Sequence, residues 1–347
     1  MQENTHSDVK EYYGHVLETN KDLKTSACCP LDAPPKHIQK YLENVHETVQ
    51  SKFYGCGSPI PDAAEGKTIL DLGCGTGRDV YILSQIVGEN GKVIGVDMTD
   101  EQLEVAKEYQ EWHKNKFGHK TVNTSFVKGY IEDLKTAGIE DASVDVVISN
   151  CVINLSPNKD KVFSEIFRVL KPGGELYFSD VFSGRRIPED VQNDKVILGE
   201  CLGGAMYLED FRRELANLGI PDYRVVSKRV LEIDDEEILK KAGMIDFYSM
   251  TVKAFKVDLE DICENYGHVA YYKGTLDKHP HSYTLDDHHE FKTGMPVAVC
   301  GNTYNMLAQT RFKDHFKLEG DFSVHYGVFD CTSGASSTDD TDSGSCC

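Results

Sequence analysis

The chain has 347 residues, 40% hydrophobic and 27% charged, the composition of a soluble globular protein of one large or two ordinary domains. Its formal net charge of -20 repels phosphate backbones, which disfavours nucleic-acid substrates. No stretch nears the roughly 18 apolar residues of a membrane span, and "MQENTHSDVKEYYG" lacks the apolar core of a secretory leader, so no membrane partner and a cytoplasmic location are expected.

Residues 1–65 read as a helical and irregular cap. In "PPKHIQKYLENVHETVQSKFYG", Ile38, Leu42, Val45, Val49 and Phe53 recur at three- and four-residue spacing, one face of a helix, and "GCGSPIP" ends it. From Lys67 to about Val181 strands and helices alternate. "KTILDLG", "GKVIGVD", "TSFVKGY", "VDVVISN" and "GGELYFSDV" read as strands. "GRDVYILSQIV", "DEQLEVAKEYQEWHKNKFG" and "KDKVFSEIFRVL" read as helices, the last stopped by "LKPGG". Continuous apolar strands alternating with helices predict an α/β fold with a parallel sheet covered on both faces. A further helix, "CLGGAMYLEDFRRELANLG", completes a region spanning 66–224. "DYRVVSKRVLEI", "MIDFYSMTVKAFKV", "GHVAYYKGTL" and "EFKTGMPVAVC" then read as strands of a smaller α+β domain over 225–330. The tail, 331–347, is Ser/Thr/Asp/Gly-rich and expected to be disordered.

"TILDLGCGTGRD" is a strand, a glycine turn and a helix start. Gly73, Gly75 and Gly77 let the backbone approach a ligand, and the helix supplies free N–H groups. The spacing departs from the dinucleotide fingerprint, because Arg78 stands in the sixth place. Asp71 precedes the turn, and Asp97 ends the next strand, where a carboxylate suits a ribose diol. This loop, with "GVDMT", "GYIEDL" and "RVLKPGGELYFSD" in order, resembles class I S-adenosylmethionine-dependent methyltransferases, which implies a Rossmann-like sheet. By that resemblance Asp97 would hold the ribose hydroxyls and Met98 would flank the adenine. Ile131 and Glu132 would line its pocket, and Asp71 would lie near the methionine amino group.

The 11 cysteines include no C-x₂-C pair, so zinc-ribbon and thioredoxin-like spacings are absent. In a reducing compartment they are expected as thiols. Cys300, in "PVAVCG", looks like a small buried hydrophobe. Cys56 in "FYGCGSP" and Cys201 in "LGECLGG" are instead flanked by glycines. Cys151 follows the fourth strand, "VISN", where open α/β sheets place ligands. Soft thiolates select thiophilic centres, so three thiols at a methyltransferase cleft suggest a thiophilic acceptor.

"YGCGSPIP", "DLGCGTGRD", "ISNCVINLSPNKD", "GGELYFSDV" and "LGECLGGAMY", with "NKDLKTSACC" near the N-terminus, are similar to the motifs of arsenite S-adenosylmethionine methyltransferases. The similarity runs from about Tyr12 through Phe255. It implies that Cys56, Cys151 and Cys201 bind arsenic and that Cys28, or its neighbour Cys29, pairs with Cys56 as a disulfide during turnover. Tyr54 and Asn150 would lie near the sulfonium end of the cofactor. The implied substrates are arsenite and methylated arsenicals, with thioredoxin or glutathione as reductant. A monomer is expected. A methyltransferase for an ordinary isoprenoid or sterol would leave the three thiols unexplained. A metalloid-sequestering protein with a vestigial cofactor fold would not need Asp71, the glycines and Asp97.

Other features have plainer readings. Cys346 and Cys347 end a solvated tail. "HPHSYTLDDHHE" reads as a polar loop between two strands rather than a metal site, since it lacks tight ligand spacing. Tyr109 and Trp112 read as helix packing, Cys74 as structural, and Glu200 as a possible hydrogen-bond partner of an arsenic hydroxyl.

Overall fold

The structure, a computed structural model, describes residues 35–331 except 54, 193, 195, 196, 198–200, 234 and 235, and except the side chain of 237. Cys28, Cys29, Tyr54, Glu200, Cys346 and Cys347 lie outside the described residues. So does the tail beyond Cys331.

Strands β1 (Thr68–Leu72), β2 (Lys92–Asp97), β3 (Thr124–Lys128), β4 (Val144–Asn150) and β5 (Leu170–Ser183) form the predicted parallel sheet in the order β3-β2-β1-β4-β5. Their apolar runs are buried on both faces, which is why they read as continuous rather than alternating. One face packs on the helices Arg78–Val87 and Asp100–Glu108 and on the N-terminal segment through Ile38, Val45 and Val49. The other packs on the helices Lys159–Val169 and Leu208–Asn217, with Phe163, Phe178, Phe182 and Phe211 in mutual ring contact.

The sheet extends further than the sequence reading had it. The short β6 (Met206–Tyr207) pairs with β5, and β8 (Phe247–Phe255) pairs antiparallel with β5 along its length. β7 (Tyr223–Val230) pairs antiparallel with β8. The expected boundary at 225 therefore cuts through β7. The physical reason lies in β8, which is buried at every position but Tyr248 and needs partners on both edges. Beyond it, β9 (His268–Tyr272), β12 (Pro296–Val299) and β13 (Phe316–Glu319) form a small antiparallel sheet around their own core. β10 (Ser282–Thr284) and β11 (Glu290–Lys292) form a hairpin, so "HPHSYTLDDHHE" contains a strand instead of being a loop throughout. Buried ion pairs fasten this unit to the sheet: Arg311 to Glu175 of β5, and Arg224 of β7 to Asp286 at 3.7 Å.

Two predicted helices are each interrupted. The N-terminal one is Lys36–Leu42 followed by Glu47–Ser51, because the His46 side chain accepts the Thr48 N–H and starts a new helix. The other breaks at Tyr109, giving Asp100–Glu108 and Gln110–Phe117. These pieces meet at His113, which is buried under the Tyr81 ring at 3.5 Å. Its Nε2 accepts the His46 N–H at 3.1 Å, and its Nδ1 reaches the Tyr109 carbonyl at 2.8 Å. Tyr109 stacks on His46, and Trp112, expected as packing, sets its ring edge-on to His46 and His113 while staying 41% exposed.

Burial holds the His113 imidazole down at a pKa of about 4, against the Tyr109 hydrogen bond that raises it. A histidine kept neutral gives stability that is present above its unfolded pKa and fades as pH falls toward the folded value. The stability advantage of the native chain over His113→Gln is therefore expected to shrink between pH 7 and pH 5, by on the order of 2 kcal/mol. Urea unfolding at the two pH values checks this; an advantage that does not change with pH contradicts it.

Candidate active site

β1 lies between β2 and β4, so the chain leaves the sheet in opposite directions on either side of the β1/β4 boundary. In such sheets ligands bind beyond the strand ends at this boundary. A cleft enclosing about 1040 Å³, partly open to solvent, lies there. Its wall includes Asp71, Gly73, Gly75, Asp97, Met98, Ile131, Glu132, Asn150 and Cys151, each singled out from sequence.

The glycines divide the work. Gly73 has φ 68°, and a Cβ there would come within 2.4 Å of Val152. Gly75, at φ 51°, would meet nothing closer than 3.9 Å, so its backbone faces open space in the cleft. Gly77 caps the helix Arg78–Val87 at φ 85°, against the Phe126 ring. It shapes the turn but does not line the cleft.

Asp97 accepts the Gly75 N–H at 2.9 Å and the Thr99 N–H at 2.8 Å. Burial pushes its carboxyl upward in pKa and these bonds pull it back. Asp71 is raised well above the carboxylate range by burial, then by Asp79 and Asp97. The Arg78 guanidinium pairs with Asp79 at 2.7 Å and stacks on the Phe53 ring. The Ser156 hydroxyl donates to Glu132. The half-buried Asp97 carboxylate between apolar walls of Met98, Ile131, Val152 and Leu155, with a glycine backbone left open beside it, suits an adenosine.

At the cleft's end three cysteines far apart in sequence come together. Cys56 and Cys151 are joined as a disulfide, with their Cα atoms 5.8 Å apart. The Cys201 thiol donates to the Cys151 carbonyl at 3.6 Å. All three are buried. Cys151 and Cys201 have φ of 58° and 62°. Left-handed backbone at a non-glycine residue costs of order 1–3 kcal/mol and persists only where surroundings impose it.

The Asn150 amide brings the Cys56 loop in. Its Oδ1 accepts the N–H groups of Cys56 at 3.0 Å and Gly57 at 3.2 Å, and its Nδ2 donates to the Gly57 carbonyl at 2.9 Å. The Ser249 hydroxyl of β8 donates to the Cys56 carbonyl at 3.0 Å. Gly57 lies so close to Ser179 that a Cβ would approach its Oγ to 2.3 Å. This clasp lays the Cys56 loop on the end of β4, where Cys56 is bonded to Cys151; the pairing with Cys28 or Cys29 that the resemblance implies belongs to turnover. Cys28 lies outside the described residues.

Asp180 was missed from sequence. It is fully buried on β5, with a carboxylate oxygen within 4.8 Å of the Cys56 and Cys151 sulfurs. Burial raises its pKa to about 7, against N–H groups of Val181 and Asn154. An acidic residue amid the apolar run "LYFSDVF", at the sheet end where ligands bind, was the available signal. Cys74 faces away from the thiol cluster and packs against Gly95 and the strand behind the loop.

Comparisons with known proteins identify the family of the chain. Residues 63–243 match the model of a methyltransferase domain, and 266–346 match that of an arsenite methyltransferase C-terminal domain. An arsenite methyltransferase of Aquipseudomonas alcaligenes is 47% identical over 94% of each chain. The Homo sapiens arsenite methyltransferase is 43% identical over 90% of this chain and 83% of its own. The crystal structure of an arsenic(III) S-adenosylmethionine methyltransferase from Chlamydomonas reinhardtii superposes with a TM-score of 0.83 at 49% identity, covering 86% of this chain and all of that one. The glycine turn, Asp97 and the buried cysteines thus stand in a chain that belongs to the arsenite methyltransferase family.

Proposed function

We propose that the chain methylates arsenite and methylarsenite, with the arsenic held by Cys56, Cys151 and Cys201 at the end of the cofactor cleft. One observation supports the residue assignment: the Cys56–Cys151 disulfide lies where Asn150 and Cys151 close that cleft, and the buried Cys201 thiol reaches the Cys151 carbonyl. S-adenosylmethionine, when bound, supplies an electrophilic methyl group on its sulfonium. Asp97 would hold the ribose, Met98 and Ile131 the adenine faces, and Gly75 the backbone contact.

The protein's contribution is positioning. Arsenic(III) has a lone pair and no proton to lose, so no general base acts on it. Two or three thiolates fix the direction of the lone pair, an arrangement worth up to roughly 7–11 kcal/mol in favourable cases. Arsenite has three exchangeable positions and takes all three sulfurs. Methylarsenite has two and takes Cys151 and Cys201. Attack raises arsenic formally to the pentavalent state. Two cysteine thiols return it to the trivalent state by giving up two electrons and forming a disulfide. Cys56 is one partner, with Cys151 as joined here or with Cys28 or Cys29.

The disulfide form leaves only Cys201 of the three as a thiol, so it must be reduced before arsenite binds. Thiol–disulfide exchange with glutathione or thioredoxin would supply the electrons. Among the described residues no helix is long and apolar enough to cross a membrane.

Incubation with labelled S-adenosylmethionine, arsenite and a thiol reductant is expected to yield methylated arsenic; a tight arsenic complex without methyl transfer overturns the assignment. Cys151→Ser and Cys201→Ser should each abolish methylation of both substrates. Cys56→Ser should abolish arsenite methylation, spare methylarsenite, and bind methylarsenite without prior reduction, because Cys151 is then free. Equal loss on both substrates sinks the graded-coordination scheme. Asn150→Ala should lower arsenite turnover more than methylarsenite turnover, since it frees the Cys56 loop. Asp97→Ala should weaken S-adenosylmethionine binding by roughly 10- to 100-fold, the loss of charged hydrogen bonds of about 1.5–3 kcal/mol; calorimetric titration reads it directly.

A further inference from the structure

Most polar groups outside the cleft have an evident structural task. His289 pairs with Asp286 in the contact that docks the small domain. Cys300 accepts the Thr303 N–H and caps the helix Gly301–Ala308. A different set meets where three chain segments converge. His37 comes from the first turn of Lys36–Leu42, Asp62 from the loop between Cys56 and β1, and His279 from the segment between β9 and β10.

One ligand-capable atom from each of the three lies within 4.8 Å of the others. His279 Nε2 and Asp62 Oδ1 are 3.1 Å apart. The His37 ring meets the His279 ring edge-on, with centroids 5.4 Å apart. All three side chains are half-buried, so the group is sheltered yet keeps one open side. We propose that His37, Asp62 and His279 bind a divalent transition ion of the zinc class, with water completing a tetrahedral shell.

Two imidazoles and one carboxylate suit a borderline ion. Calcium and magnesium take six or more oxygens, and soft ions prefer sulfur. Zinc–ligand bonds of roughly 2.0–2.1 Å place tetrahedral ligands about 3.3 Å apart, close to the separation of His279 and Asp62. The ion takes the place of the hydrogen between His279 Nε2 and Asp62 Oδ1, with His279 in the neutral tautomer that carries its proton on Nδ1. Asp62 supplies the negative charge for the ion, against the Lys40 and Lys278 ammonium groups nearby. Burial lowers the pKa of His37, which keeps its lone pair available, although Asp62 pulls the other way. Burial opposes ionisation of Asp62, yet the His279 hydrogen bond and the nearby cations outweigh it. The neighbouring Lys278 ammonium is held over the Tyr41 ring, at 4.7 Å.

The ion would cross-link the N-terminal helix, the loop that follows Cys56 and the small C-terminal unit. Arg311 already ties that loop to the same unit through the Asp62 carbonyl at 2.7 Å. The proposal stands apart from the arsenic chemistry, since none of its ligands lines the cleft.

Titration of the full, reduced, metal-free chain with Co²⁺ tests it, His37→Ala serving as the reference. The native chain is expected to bind one more Co²⁺ than His37→Ala. The difference spectrum should show visible d–d bands without thiolate-to-cobalt charge transfer, which separates this site from the cysteines. Zn²⁺ should displace the cobalt and raise the melting temperature of the native chain, with affinity at least tenfold weaker in His37→Ala. Asp62→Asn should lose the same equivalent; should it unfold, His37→Ala, which changes a half-buried helix residue, decides alone. Equal cobalt binding by the native chain and His37→Ala, or a difference spectrum dominated by thiolate charge transfer, overturns the proposal.

Discussion

The acceptor end of the cleft depends on the side chain of Asn150. It is the last residue of β4, and its amide bonds three backbone groups of a loop 93 and 94 positions away. Each such bond is worth about 1 kcal/mol net, but leaving a buried N–H unpaired costs about 1–3 kcal/mol. The loop therefore has one favoured seat, and Cys56 is placed on Cys151 by it. A second amide bond, from Nδ2 to Asp79 at 3.2 Å, ties the same side chain to the helix that follows the glycine turn. Cofactor loop and thiol cluster are thereby linked through one residue.

The sheet provides the rigid frame for that linkage. β5 and β8 run antiparallel over nine residue pairs, from Glu175 with Phe255 to Ser183 with Phe247. This places Ser179, Asp180 and Ser249 around the cysteines. The Ser179 hydroxyl meets Thr251 at 2.7 Å, so the bed beneath Gly57 is itself hydrogen-bonded across two strands. Backbone strain at Cys151 and Cys201 is held by this setting, a pattern common where a side chain must point into a site. The small C-terminal unit leans on the same sheet through Arg311 and Glu175, which opens the β5–β8 pairing.

Much of this was legible in the residues. The glycine turn, Asp71 and Asp97 announce themselves because a backbone that passes close to a ligand tolerates few side chains. The parallel strands were legible because strands buried on both faces are apolar throughout. Cys56 and Cys201 stood out by their glycine neighbours. Asp180 escaped notice because one acidic residue in an apolar strand has no periodic signature. The boundary at 225 failed for a related reason: an antiparallel strand added to a parallel sheet has the same local pattern as one in a separate domain. The breaks at His46 and Tyr109 depend on side chains that meet only after folding.

Sequence alone determined the local chemistry: which turn admits a cofactor, which strands are buried twice, and which cysteines lie outside an ordinary core. These are properties of a few adjacent residues, and local sterics and hydrophobicity dictate them. The tertiary structure decided which of those residues meet. That Cys56 reaches Cys151 rather than remaining a lone thiol depends on Asn150 and on Ser249, positions 94 and 193 residues from it. That His37, Asp62 and His279 share one spot depends on a small domain docking against the N-terminal helix. Such meetings are set by packing and by the pairing of buried polar groups across the whole chain, and spacing along the sequence carries no record of them.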